Sequence, residues 1–185
     1  MINFRRIDRF YLSGGWNNLP ENISLLRQNR IKAVLDLQFT PDAGMYANYG
    51  PAIEAIKSKL AEDSIAYHAI RMTDDEFNLD FDGILNEGHE ILTGWEEKFK
   101  PEPRVQQSGK KKVIQMSPPI AGILVKCGAG ISRSPTMLIN HLCITDRLSY
   151  LEALNYLRKK EYDQAVQFGS SPNYYFAEQL KRKYP

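Results

Sequence analysis

The chain has 185 residues, 43% hydrophobic and 25% charged, the proportions of a globular domain with one sizeable core. Lys and Arg outnumber Asp and Glu by 24 to 22, and this net charge of +2 makes no case for nucleic acid. No apolar run reaches the length of a bilayer span, MINFRRIDRF lacks a signal peptide's apolar stretch, and Cys127 and Cys143 are too few for a disulfide framework. A cytoplasmic setting with reduced thiols and no membrane partner is expected.

In chain order, the apolar run FYL at 10–12 reads as a strand ended by Ser13-Gly14-Gly15. A helix is expected over 18–30, with Pro20 in its first turn, where a missing N–H costs little. IKAVLDL at 31–37 reads as a buried strand and residues 38–50, with Pro, Gly and Tyr, as a loop. Pro51 opens a helix with Ile53, Ile56 and Leu60 on one face. IAYHAI at 65–70 is a further strand, followed by an acidic loop containing Asp74, Asp75 and Glu76. A helix then spans about 80–98. Residues 100–119 read as an insertion, a hairpin turning at Ser108-Gly109.

Residues 120–125 are strand-like, and beyond them the chain turns helical. Ser134-Pro135 is expected to cap and start one helix. Ser149 with Glu152 forms a capping box for the next, and Ser171-Pro172 starts the last, ending at Lys183. This alternation predicts a single α/β domain, with a central, mainly parallel twisted sheet flanked by helices.

The stretch 124–136, LVKCGAGISRSPT, carries the chemistry. Cys127 ends an apolar strand, and six residues later Arg133 stands where a helix begins. Gly128 and Gly130 between them permit a tight backbone that turns successive N–H groups inward. The helix N-terminus adds unpaired donors and the positive end of its dipole. The expected product is a cup for a tetrahedral dianion lined by Gly128, Ala129, Gly130, Ile131 and Ser132. Arg133 supplies a bidentate contact to two phosphate oxygens. The same positive features favour the thiolate form of Cys127. Ser134 can donate its hydroxyl to the sulfur or serve as a helix cap.

This segment resembles the signature loop of the cysteine-dependent protein phosphatases, specifically their dual-specificity branch. Residues 10–15, 31–37, 65–74 and 171–180 look like further segments of that family in the same order, so the resemblance covers most of the chain. It implies Cys127 as nucleophile, Arg133 as phosphate clamp and an acid after the 65–70 strand, with Asp74 favoured and Asp75 a competitor. It also implies a phosphorylated protein as partner and substrate, and a mechanism without metal or other cofactor. The loop interior, Gly-Ala-Gly-Ile-Ser, carries no lysine, whereas phosphoinositide-directed relatives typically place lysines there. That favours a singly phosphorylated substrate and leaves tyrosine against serine/threonine open, with Tyr46 and Tyr49 as candidate clamps. A phosphate-binding relative without turnover, and an enzyme for an RNA 5′ end, a sugar phosphate or an inositol phosphate, remain as rival readings.

Lys126 departs from the family, which usually has histidine before the cysteine. A buried lysine is costly unless it snorkels or pairs. Asn78, Asp80, Asp82 and Gly83 start like a calcium loop, but His89 stands at the twelfth position where a bidentate Glu is needed, so a helix start is expected there. His68, His89 and His141 show no metal-ligand spacing with each other or with either cysteine.

Overall fold

The computed structural model describes residues 4–13, 23–37, 49–74, 80–100, 103–108, 111–116, 121–164 and 169–185. Strands β1 (Arg5–Ile7) and β2 (Phe10–Ser13) are followed by α1 (Ile23–Gln28), β3 (Ile31–Asp36), α2 (Tyr49–Glu62), β4 (Ala66–Ala69) and α3 (Phe81–Lys98). Next come β5 (Pro103–Ser108) and β6 (Lys111–Met116), then β7 (Gly122–Lys126), α4 (Arg133–Thr145), α5 (Tyr150–Tyr162) and α6 (Tyr174–Lys183). The main sheet has the order β1-β2-β7-β3-β4. It is parallel except for β1, which pairs antiparallel with β2. The single α/β domain with a mainly parallel sheet is thus present as the alternation of elements predicts. Strands β5 and β6 form a separate antiparallel pair, and the expected turn at Ser108-Gly109 falls partly outside the described residues, which omit 109–110.

Strand periodicity builds a core on each face. Leu12, Leu35 and Val125 face one apolar cluster, together with Leu85, Met137, Leu157 and Phe176 from α3 to α6. Their neighbours Tyr11, Val34 and Leu124 face the other, with Leu26, Ile56 and Leu60 from α1 and α2. Both faces are covered, which is why these strands read as continuous apolar runs. Helices α3 and α4 approach closely at Gly88, where an added Cβ would lie 2.2 Å from Met137 Sδ.

Strand β1 was not expected from the sequence, because RRI looks like surface. It alternates all the same: Arg5 and Ile7 are buried while Arg6 is exposed. Its outer edge is closed by one side chain rather than by a strand. The Arg6 N–H donates to Gln164 Oε1 at 2.8 Å, and Gln164 Nε2 donates to Arg6 O at 2.6 Å.

Three helix starts differ from expectation, the first being α2, which begins at Tyr49 rather than at Pro51. Helix α4 begins at Arg133 with Ser132 as its N-cap residue, so Ser134 lies inside the first turn and caps nothing. Helix α6 begins at Tyr174, not at Ser171-Pro172, because Asn173 Oδ1 accepts from the Phe176 N–H at 2.9 Å. An Asn with extended backbone one position before the first helical residue outcompetes the earlier Ser-Pro pair. The Ser149–Glu152 capping box is present in full. Asp80 caps α3, accepting from the Gly83 N–H at 2.9 Å, the helix-start role expected of that acidic stretch. The beginning of the expected 18–30 helix and residues 38–48, Tyr46 among them, lie outside the described residues. Of Tyr49, only its backbone at the start of α2 is described.

Candidate active site

The carboxyl ends of the parallel strands meet at one level, with Ser13 beside Lys126 and Asp36 beside both Lys126 and Ala69. In open α/β sheets, ligands bind just beyond this edge, and residues 127–133 leave the sheet here. The Cys127 N–H donates to Ser13 O at 3.3 Å, continuing the β2–β7 ladder by one step. The thiol is buried, and the Gly130 N–H points at Cys127 Sγ from 3.2 Å. That approach needs Gly130 at φ 74°, a left-handed conformation costly for residues with a Cβ. Gly128, Ile131 and Ser132 are half-buried and Ala129 is exposed, forming the rim above the sulfur.

Arg133 opens α4, and its Nη1 donates to Met72 O at 3.1 Å, with Leu37 O further away at 3.4 Å. Its Nε lies 3.6 Å from Asp74 Oδ2 and makes no hydrogen bond among the described residues. The Ser134 hydroxyl is likewise buried and without a hydrogen-bond partner there, so it does not donate to the Cys127 sulfur. Buried polar groups are nearly always satisfied. Two unsatisfied donors in successive residues of the first turn of α4 mark a place suited to an anionic ligand.

Asp74 is brought to this loop across the site. Its Oδ1 accepts from Ser132 Oγ at 2.6 Å and from Asn173 Nδ2 at 3.2 Å. Ser132 has no side-chain bond to the α4 turn because its hydroxyl is spent on Asp74, while the Asn173 N–H donates back to Ser132 Oγ at 3.2 Å. Asp74 remains 45% exposed, open on the solvent side. Asp75 and Glu76 lie outside the described residues. Asn173 was not singled out from the sequence, although an Asn before an apolar helix start was a signal for it. It caps α6 with its oxygen and holds Asp74 with its nitrogen.

Lys126 and Asp36 are 2% and 1% exposed, and Lys126 Nζ stands 3.3 Å from Asp36 Oδ1. The Tyr67 hydroxyl donates to Asp36 Oδ2 at 3.0 Å. Burial pulls Lys126 down to about 8, and the neighbouring Asp36 carboxylate opposes that pull. Burial, then the Asp36 charge, pushes the Tyr67 phenol upward. Pairing, one of the two escapes open to a buried lysine, is the one used.

The remaining candidates separate cleanly. Cys143 is a buried free thiol pushed up to about 12 by burial, with the character of a core residue. His89 and His141 do meet, Nδ1 to Nδ1 at 3.0 Å, and His141 Nε2 is 3.2 Å from Glu96 Oε2. No group of three or more His, Cys, Asp or Glu side chains is placed to hold a metal ion among the described residues. None of the described helices is long and apolar enough to cross a membrane.

No protein-family model matches the chain, and no curated protein sequence matches it. Solved structures do. The PTP-2 phosphatase of Cydia pomonella superposes with a TM-score of 0.62 at 22% identity, over 99% of this chain and 91% of that one. The fold is that of the dual-specificity and tyrosine phosphatases. DUSP15 matches at 0.58 and 15% identity, over 98% of this chain and 85% of its own. The human tyrosine phosphatase-like serine/threonine/tyrosine-interacting protein matches at 0.63 and 18%, over 97% and 94%. Within this phosphatase fold, Cys127, Arg133 and Asp74 converge on one loop at the carboxyl edge of the sheet.

Proposed function

We propose that the protein is a cysteine-dependent phosphatase. It hydrolyses phosphomonoesters of protein tyrosine and/or serine/threonine through a cysteinyl-phosphate intermediate. The observation that carries this reading is the 2.6 Å hydrogen bond from Ser132 to Asp74. It sets a carboxyl group facing the loop that holds Cys127 and Arg133.

Cys127 attacks phosphorus as the thiolate and displaces the ester oxygen, which takes its proton from Asp74. Water then attacks the cysteinyl-phosphate, Asp74 takes a proton from it, and inorganic phosphate leaves as the thiolate is regenerated. Arg133 and the amides of residues 128–132 hold the non-bridging oxygens through both transition states. Neither displacement calls on a metal or another cofactor. The absence of lysine from Gly128 to Ser132 supports a singly phosphorylated partner.

The test is phosphate release from a mixed panel of phosphopeptides, phosphoinositides, sugar phosphates and nucleotide 5′ ends, with Cys127→Ser as the blank. Release from phosphopeptides that disappears in Cys127→Ser is the expected result. Equal release from both proteins overturns the reading. Arg133-dependent phosphopeptide binding without release assigns a recognition role instead, and release confined to another class of the panel moves the substrate there.

A further inference from the structure

Against the Gly130 carbonyl of the phosphate loop lies a buried ion pair that the mechanism above does not use. Arg5 and Glu161 are 3% and 2% exposed, and Arg5 Nη1 stands 2.9 Å from Glu161 Oε1. The other terminal nitrogen of Arg5 donates to the Gly130 carbonyl oxygen. Glu161 is itself held by Ser170, whose N–H reaches Oε2 at 2.6 Å and whose hydroxyl reaches Oε1 at 2.7 Å. The next residue continues the support, with the Ser171 N–H donating to Ile131 O at 2.9 Å.

We propose that Arg5 and Glu161 are positioning residues that orient the amides of the phosphate loop from behind, an inference that rests on the phosphate-binding reading of residues 127–133. The reason lies in peptide geometry. A trans peptide is planar, and its N–H points opposite to its C=O; there are no cis peptide bonds among the described residues. Arg5 holds the Gly130 carbonyl, which sets the Ile131 N–H on the opposite side. Ser171 holds the Ile131 carbonyl, which does the same for the Ser132 N–H. Two consecutive donors are thereby turned away from the supports. The support has to be rigid to do this, and Arg5 is rigid because its planar fork bridges a carboxylate and a carbonyl at once, a geometry lysine cannot match.

Stability alone is a poor account of the pair. Removing two charges from water costs several kcal/mol per ion, and apolar replacements of such pairs are often neutral or better. The Arg5 charge also reaches the sulfur. Burial lowers the proton affinity of the Arg5 guanidinium, and Glu161 and then Cys127 push it back up.

The test uses Arg5→Met, Arg5→Lys and Glu161→Gln in the full chain. Tungstate, a tetrahedral dianion, is titrated calorimetrically, and kcat and KM are measured on an aryl phosphate. Displacing donors by about 1 Å costs on the order of 100-fold, so a loss of about 10- to 100-fold in tungstate affinity and in kcat is expected in Arg5→Met. Glu161→Gln, which keeps shape and volume, is expected to lose part of that, and Arg5→Lys not to restore it. Should Arg5→Met fail to fold, Glu161→Gln carries the same comparison. Folded variants that bind tungstate and turn over within twofold of wild type overturn the inference while leaving the phosphatase reading intact. A wild-type protein that neither binds tungstate nor turns over overturns both. If wild type binds tungstate without turnover, the phosphatase reading falls and the affinity losses still decide the inference.

Discussion

Lys126 Nζ and Asp36 Oδ1 lie 3.3 Å apart between paired positions of adjacent parallel strands, both almost wholly removed from water. Removing one partner strands the other, so Asp36→Asn is expected to lose about 3–5 kcal/mol in urea unfolding. The double replacement Lys126→Met/Asp36→Leu is expected to be near neutral in stability, which separates the pair's contribution to folding from its contribution to rate. The pair also sets a pH dependence. Lys126 titrates at about 8 when folded against 10.5 when unfolded, so between those values the unfolded chain binds more protons. Stability from this group is therefore fully present above 10.5 and is lost as pH falls through about 8. Unfolding followed from pH 7.5 to 10.5 should show wild type gaining on Lys126→Met; parallel curves would contradict it.

The hydrogen bonds around Asp74 give a kinetic prediction. In the proposed mechanism Asp74→Asn removes the proton donor, and it is expected to lower kcat by about 10²–10⁴ on an alkyl phosphate. An aryl phosphate, whose leaving group needs less help, should suffer less. Ser132→Ala and Asn173→Ala keep the carboxyl group but release its anchors, so each should lower kcat by a smaller factor with the same leaving-group trend. Equal losses on both ester types would show that the anchors serve the loop rather than the acid.

The His89–His141 contact predicts acid sensitivity. One nitrogen of the 3.0 Å pair must donate and the other accept, an arrangement lost when both rings are charged. Burial, then the His141 charge, holds His89 below its usual 6.5, while Glu96 and Glu90 oppose this and Lys183 reinforces it. Arg9, 2.6 Å from Glu96, draws on the same carboxylate. A depressed folded value means stability present above 6.5 and lost as pH falls through the folded value. The urea midpoint of wild type should drop more steeply below pH 6.5 than that of His89→Gln.

At Gly88 two effects oppose each other. Alanine favours a helix interior over glycine by about 1 kcal/mol. Against that, the new Cβ would meet Met137 Sδ at 2.2 Å, and Met137 is fully buried, so its thioether has to shift within the core. Overpacking of this kind costs about 1–3 kcal/mol, so Gly88→Ala is expected to lower the denaturation midpoint. Gly94→Ala, on the same helix with nothing within 4 Å of the new atom, should raise it.

Much of this was readable in the chain, and the reasons are specific. Residues 31–37 and 120–125 are apolar on both faces because the sheet is covered on both sides, so strand and burial were legible together. Cys127 and Arg133 could be proposed from the sequence because loop chemistry is local: six residues, two glycines and a helix start; Asp74, 53 residues earlier, came from the family resemblance instead. What escaped notice depends on distant pairing. Arg5 looks like a surface charge until Glu161 is known to lie beside it, and the partner that a buried Lys126 needs is not evident until Asp36 is placed in register with it. Asn173 was hidden by the Ser-Pro pair just before it, a plausible helix start that the chain does not use.

The backing of the phosphate loop has a consequence for the order in which the protein is made. Cys127 and Arg133 leave the ribosome ahead of Glu161, Ser170, Ser171 and Asn173, on which the orientation of the loop depends. At roughly 5–20 residues per second, Cys127 is synthesised a few seconds before the residues proposed to brace its loop. A nascent chain that has reached α4 has its thiol but not its cradle. Oxyanion protection of Cys127 should therefore appear abruptly, once α6 has docked, rather than grow with chain length.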